Sequence, residues 1–354
     1  MQDLGEAANL KNINMEYINC IFCNSNDTDS LFEVKERLFG KERFAIVRCK
    51  NCGLIYTNPR PMAKEMNKYY PEHYPPFQFS YPDPLFPPEN NSLRRIKNSL
   101  KKRVLRIHYG YFANIKTEPF KSSFLKVVTV LLKYRIGWIF PPYKKAGKVL
   151  DIGCATGHYL AKLRDLGWET YGIEPDPKSS NWAKERVGLN VITGKLEDGN
   201  FPENYFDVIT LWHTFEHLYN PLSTLKEIYR ILRKEGLIIL EIPNIATYER
   251  KIFGKQWWAW EVPRHLYHFS SRTITKFLNK ERFKIIKIEY PPSTNNIILS
   301  LQNVLLDYFP KKESWIRSFF DPDKNRELRS FLMPPGYFFS LIKQIGRMVV
   351  YGKK

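Results

Sequence analysis

From residue 148 onward the chain alternates short apolar runs with amphipathic stretches. The runs Lys148–Ile152, Tyr171–Glu174, Asn190–Thr193, Phe206–Trp212, Gly236–Ile242 and Phe283–Tyr290 are predicted as strands. Between them His158–Leu166, Pro221–Leu232 and Thr273–Leu278 carry apolar residues at helical spacing. Strands that alternate with helices predict a doubly wound α/β sheet, whose ligands sit at the carboxyl ends of its strands.

Upstream the pattern is different. A hairpin is predicted around Ser30–Val34 and Arg43–Val47, then a short helix over Ala63–Tyr70. Pro71–Pro88, rich in proline and aromatic residues, cannot form regular helix or sheet. From Ser92 to about Phe112, Leu93, Ile96, Leu100, Val104 and Ile107 recur at helical steps. Arg94, Arg95, Lys97, Lys101, Lys102, Arg103 and Arg106 stand between them. This is a basic amphipathic helix, and Phe124–Trp138 reads as a second. Two readings stay open: the stripe packs on the rest of the protein, or the helices lie on anionic lipid.

A length of 354 residues implies more than one unit, and 43% apolar residues suffice for a packed core. The net charge of +19 calls for an acidic partner: nucleic acid, an anionic membrane surface or a phosphate-bearing substrate. Met1–Asn19 lacks the apolar core of a signal peptide, and no uncharged apolar run is long enough to span a bilayer. A cytoplasmic location is expected, with a peripheral position at the inner membrane face as its variant.

The most specific chemistry lies in Val149-Leu150-Asp151-Ile152-Gly153-Cys154-Ala155-Thr156-Gly157. A buried strand breaks into a glycine-rich turn and then a helix. The glycines follow D-x-G-x-x-x-G rather than the G-x-G-x-x-G that cradles a pyrophosphate. Asp151 would repel a phosphate but could hold a cationic or amino-bearing ligand, and Glu174, at the end of the next strand, could accept from ribose hydroxyls. These residues resemble the first motif of the class I S-adenosylmethionine-dependent methyltransferases. The resemblance implies a Rossmann-like, seven-stranded α/β core and S-adenosylmethionine as cofactor. It implies contacts to the methionine portion from Asp151, Gly153, Cys154 and Gly157, to the ribose from Glu174, and beside the adenine from Leu196 and Glu197. That family often has an acid directly after the third-strand glycine, where this chain has Lys195. Under the same resemblance Met348–Tyr351 is the closing strand, and Pro291–Arg347 is an enlarged insertion.

Four of the five cysteines form two C-x-x-C pairs, Cys20/Cys23 and Cys49/Cys52. Two such knuckles complete a closed tetrahedral shell of four thiolates, so a structural Zn2+ is predicted. The ribbon, running on through Cys52–Arg60, resembles one that precedes many bacterial methyltransferases of this kind. The expected organisation is a loose leader (1–17), a zinc ribbon (18–75), a connector with basic helices (76–145), the cofactor-binding core (146–290) and an insertion carrying the closing strand (291–354).

Two further clusters bear on catalysis. Trp212-His213-Thr214-Phe215-Glu216-His217 follows the fourth core strand, where the resemblance places the transferable methyl. Methyl transfer to a hydroxyl needs alignment and a base, for which His217 and His213 are candidates. The loop Gln256–Ser270 carries Trp257, Trp258, Trp260, Arg264 and His265. Its indoles either seal a substrate pocket or plug the core; Arg264 is a candidate to pair with a phosphate, and His265 to act on a hydroxyl. Together these features lead to an O-methyltransferase acting on a sugar, a lipid-linked glycan or another small molecule. The alternative is an RNA methyltransferase whose ribbon and basic helices grip phosphates. The N-P-P-Y type of motif used for base amino groups is missing after the fourth strand; Pro141-Pro142-Tyr143 lies ahead of the first.

Overall fold

The computed structural model describes residues 13–71, 74, 79–112, 129, 132–134 and 139–354. The leader therefore lies largely outside the described residues, as does the expected second basic helix apart from Thr129 and 132–134.

The amino-terminal strands are β1 (Met15–Glu16), β2 (Thr28–Lys35), β3 (Arg43–Cys49), β4 (Ile55–Thr57) and β5 (Arg60–Pro61). β2 and β3 form the predicted hairpin, with Thr28 opposite Cys49 and Lys35 opposite Arg43. The expected short helix is a 3-10 helix, Ala63–Tyr69. Helix α1 (Ser92–Tyr109) starts at Asn91, whose side chain accepts from the Arg94 N–H, and ends at Gly110 in the left-handed region at φ 78°. Only part of its apolar stripe turns inward. Val104 and Leu105 are buried, whereas Leu93 and Ile96 are exposed.

The core follows as β6 (Lys148–Ile152), α2 (His158–Asp165), β7 (Glu169–Glu174), α3 (Pro177–Asn181), β8 (Asn190–Thr193), β9 (Phe206–Trp212), α4 (Pro221–Ile231) and β10 (Leu232–Pro243). Then come α5 (Tyr248–Phe253), β11 (Tyr267–His268), α6 (Ser271–Lys280), β12 (Lys284–Glu289), α7 (Asn295–Tyr308) and, after further short helices, β13 (Arg347–Lys353). Seven strands form one sheet in the order β12-β13-β10-β9-β6-β7-β8, as expected. β8, β7, β6 and β9 run parallel. β6, β8 and β9 begin and end where the hydropathy placed them, and β7, β12 and β13 differ by one or two residues at an end. β10 starts earlier, at Leu232, because Lys234 and Glu235 are exposed and so gave no apolar signal. The insertion ahead of β13 is helical and leaves Trp315, Phe331 and Leu341 exposed. No helix among the described residues is long and apolar enough to cross a membrane.

The chain divides into two compact units. One holds the described residues up to Tyr74 with His213–Lys226 and Leu240–Gly352; the other holds those of Pro75–Trp212 with Glu227–Ile239 and Lys353–Lys354. In the first unit a second sheet has the order β11-β4-β3-β2. Its edge strand β11 comes from the aromatic loop and pairs antiparallel with β4, Tyr267 opposite Tyr56. The sequence treated ribbon and loop as separate features. They are one sheet.

Candidate active site

The ribbon's four sulfurs lie within 4.8 Å of one another. Cys20 Sγ is 3.4 Å from Cys52 Sγ, and Cys23 Sγ is 3.5 Å from Cys49 Sγ. Those separations are far beyond an S–S bond of ~2.05 Å. They approach the edge of ~3.8 Å in a tetrahedron with Zn–S bonds of ~2.3 Å. The knuckles are built alike: Asn24 N–H donates to the Cys20 carbonyl and Gly53 N–H to the Cys49 carbonyl, both residues at positive φ. Lys276 and Lys280 on α6 donate to the Cys52 and Phe22 carbonyls at 3.0 and 2.8 Å. The residues fit a tetrahedral ion.

In the other unit the turn after β6 has the expected form. Gly153 and Gly157 sit at φ 77° and 83°, and a Cβ on Gly157 would meet Leu189 Cδ1 at 2.4 Å. Glu174 grips the turn from β7, accepting the Ala155 N–H and the Asp176 N–H at 2.9 Å each. Asp151 is 2% exposed and accepts from the Thr210 hydroxyl at 2.6 Å. Burial pushes its carboxyl up to about 8 and that of Glu174 up to about 7. An acid desolvated in this way favours a ligand that brings its own positive charge. Ser179 Oγ and Trp182 Nε1, just beyond β7, are buried with no hydrogen-bond partner. The set suits an aminoacyl nucleoside.

Other expected cofactor residues divide. The Cys154 side chain packs among Leu160, Ala183, Leu189 and Val191, so what it offers a ligand is its main chain. Leu196 is buried and Glu197 exposed. Asp198, which the sequence reading passed over, accepts the Lys195 N–H at 2.7 Å and brings its carboxylate against Gly194. Asp198 lies in a 3-10 turn, Leu196–Gly199.

The first unit gathers the histidines. His213, the residue after β9, sits at φ 51° with Nδ1 3.3 Å from Glu216 Oε1 and Nε2 3.2 Å from Glu241 Oε1. Desolvation opposes its charging, but hydrogen bonds to Glu216 and Glu241 prevail and raise its pKa to about 10. Glu241 also receives Arg347 at 2.8 Å. His213 is therefore an imidazolium with no lone pair to accept a proton.

His217 and His265 are arranged otherwise. Their rings are 4.7 Å apart, edge to face. His265 Nδ1 lies 2.9 Å from the Ala259 carbonyl, and His217 Nδ1 lies 3.0 Å from that of Arg264. A carbonyl only accepts, so each Nδ1 carries the hydrogen and each Nε2 presents a lone pair. Tyr70 Oη stands 2.8 Å from His217 Nδ1 as well. Burial, reinforced by His265, pushes His217 down to about 4, which keeps it neutral. The ribbon positions His265 directly: Thr57 Oγ1 donates to its carbonyl at 3.0 Å, and Thr57 N–H to that of Leu266.

Arg264 does not serve as a phosphate ligand. It is 1% exposed and donates to Glu36 at 2.9 Å, to Glu261 at 3.1 Å and to the Tyr69 carbonyl at 3.2 Å. Glu36 on the ribbon side is fully buried and also takes backbone N–H groups of Leu38, Phe39 and Gly40. Each of the three guanidinium nitrogens of Arg264 thus donates to an internal partner. Trp257 and Trp260 are each 1% exposed, and Trp260 Nε1 donates to the Gly254 carbonyl. These two indoles plug the interior, leaving Trp258 half-buried.

Residues 131–288 match a family model described as a methyltransferase domain. The chain is 25% identical over 108 residues to a probable S-adenosylmethionine-dependent methyltransferase of Mycolicibacterium smegmatis, a match covering 30% of this chain and 42% of that protein. An uncharacterized methyltransferase of Anoxybacillus flavithermus is 33% identical over 119 residues, covering 31% of this chain and 54% of its own length. A ubiquinone biosynthesis O-methyltransferase of Glaesserella parasuis is 24% identical over 168 residues, covering 42% of this chain and 71% of its own length. The chain thus spans about half the length of the first two of these relatives.

Proposed function

We propose that the chain, whose residues 131–288 match a methyltransferase-domain model, is a class I S-adenosylmethionine-dependent O-methyltransferase acting on a hydroxyl of a sugar, a lipid-linked glycan or a related small molecule. When bound, S-adenosylmethionine supplies an electrophilic methyl group. Asp151 and Glu174 hold its amino and ribose ends, and Gly153 and Gly157 keep side chains out of its way. Phosphates are excluded from that turn by two carboxylates. Ser179 Oγ and Trp182 Nε1 are free to bond the nucleoside.

One observation carries the choice of a hydroxyl acceptor: backbone carbonyls take the Nδ1–H of both His217 and His265, which leaves each Nε2 with its lone pair, and His265 Nε2 stands 3.9 Å from Glu216 and 3.7 Å from Glu261. Such a group can bind and activate an O–H, a task that pure alignment of an already nucleophilic amine would not need. The ribbon is assigned a structural Zn2+, since four thiolates leave no open coordination position. The O-methyltransferase from Glaesserella parasuis offers a precedent for oxygen chemistry in a relative.

The test is calorimetry paired with turnover. Asp151→Ala with Glu174→Ala should abolish the heat of S-adenosylmethionine binding. His265→Ala should keep that heat and lower turnover on a hydroxyl acceptor by about two orders of magnitude. Uptake of a dinucleotide in place of S-adenosylmethionine would refute the proposal.

A further inference from the structure

Arg264 turns inward, yet three other cations of the same unit, Arg272, Lys276 and Lys343, share the wall of one cavity of about 540 Å3. The first two turns of α6 supply Arg272 and Lys276, together with the hydroxyls of Ser271 and Thr275. Ile288 and Tyr290 come from the carboxyl end of β12, and Lys343 from the turn that leads into β13. Ligands of α/β sheets sit where the strands run out.

The wall carries charge of one sign. No Asp or Glu among the described residues lines it. The adjacent acid, Glu289, alternates to the other face of β12, where it accepts from Lys287 at 2.8 Å. Arg272 and Lys343 are exposed and, among the described residues, join no ion pair. Lys276 gives one N–H to the Cys52 carbonyl at 3.0 Å and keeps its others. The amino end of α6 adds its dipole: Ser270 Oγ takes the Thr273 N–H, and among the described residues the Ser271 and Arg272 N–H groups have no acceptor. A cleft lined in this way concentrates anions. Its volume falls within the range of roughly 300–1,000 Å3 typical of small-molecule sites, and Ile288 and Tyr290 add an apolar side to it.

We infer that Arg272, Lys276 and Lys343 form an anion site that takes the phosphate or diphosphate group of a glycosyl phosphate. A polynucleotide is gripped by a track of cations and stacking rings along a groove, not by three cations around one cavity. Ser271 follows His265 by six residues, which keeps the site within about 20 Å of the proposed base. The role of the site in presenting an acceptor rests on the O-methyltransferase reading; the site itself stands on its own geometry.

The experiment is calorimetry of the full chain with inorganic pyrophosphate at roughly 0.15 M salt, where the Debye length is about 8 Å and distant charges are screened. Pyrophosphate should bind the parent, and Arg272→Gln combined with Lys343→Gln should weaken it about ten-fold or more. The same double variant should keep its Tm and its heat with S-adenosylmethionine. Lys97→Gln with Lys102→Gln removes equal charge from α1 and should change the affinity by less than about two-fold. No heat from pyrophosphate, an unaltered affinity in the site variant, or an equal loss in the α1 control overturns the site. A sugar 1-phosphate and a micellar polyprenyl-diphosphate glycan are then compared. The one that outbinds pyrophosphate, and loses that advantage in the site variant, tells a soluble source from a lipid-linked one. If neither does, or if an RNA oligonucleotide outbinds both through the same residues, the glycosyl phosphate is refuted. Pyrophosphate binding without S-adenosylmethionine binding would remove the transferase reading and keep the anion site; the reverse result would remove the anion site alone.

Discussion

Replacing Arg264 by Met separates a structural arginine from a substrate-binding one. The substitution keeps most of the apolar stem and deletes a guanidinium that is 1% exposed. Glu36 then remains buried with three backbone N–H donors, from Leu38, Phe39 and Gly40, but without its cation. Removing one partner of a buried pair costs about 3–5 kcal/mol. The surviving donors place this case near the lower end, and the Tyr69 carbonyl adds about 1 kcal/mol through its lost partner. A total of about 4 kcal/mol corresponds to a fall in Tm of roughly 8–16 °C for a unit of this size. The assay is thermal and urea unfolding followed by circular dichroism. Adding Glu36→Gln should recover much of the loss, because no unpaired charge is then buried, and the double-mutant cycle should show strong coupling. If Arg264→Met melted within about 2 °C of the parent and yet raised KM for a phosphorylated acceptor, the internal ion pair would be unimportant and the phosphate role restored.

Three other outcomes are expected. Asp207 is buried between Lys144 and Arg233; burial opposes its ionisation, but these cations and the Lys148 N–H prevail and hold its pKa below the usual range. Its stabilisation is full above the unfolded value of about 4 and disappears as pH falls through the lower folded value. Asp207→Asn should lower the urea midpoint at neutral pH and flatten the acid limb below about pH 4; an unaltered limb contradicts this. Chelating the ribbon ion should increase hydrogen exchange in β2–β4 and also at Tyr267 in β11, with β6–β8 unaffected; protection retained at Tyr267 would show the shared sheet to be independent of the metal. Leu93, Ile96 and Ile107 on α1 are exposed beside basic residues, so vesicles rich in anionic lipid should co-sediment the protein at low salt. Charge reversal of Lys97, Lys102 and Arg103 should abolish this without altering cofactor binding, and unchanged sedimentation would remove α1 from the membrane proposal.

What the sequence displayed, and what it hid, follows from how far apart the interacting residues lie. The cofactor turn is legible because a buried strand, two glycines and an acid at the next strand's tip are local necessities, set by φ angles and by desolvation. The cysteine shell is legible because a knuckle needs its ligands at fixed spacing. The pairing of Tyr267 with Tyr56 was invisible: β11 is two residues long, carries no alternation, and its partner is remote in sequence. The same distance hid the role of Arg264, whose partner Glu36 lies 228 residues upstream. His213 and His217 were both candidate bases in the sequence. Only the arrival of Glu241 on one and of backbone carbonyls on the other made the first a cation and the second a lone-pair donor. The tryptophans left two readings open for a simpler reason, since an indole serves a core and a sugar pocket equally well.

The strand shared between ribbon and loop also bears on inheritance. A finger that merely hung from a catalytic body could be lost, traded or trimmed among relatives without consequence for chemistry. Here the peptide that sets His265 in place is the border of the finger's own sheet, so deleting the first seventy-odd residues would unmoor the side chain proposed as the base, encoded about two hundred codons later. Substrate range and ribbon sequence are therefore expected to drift in concert, each change in one licensing a change in the other.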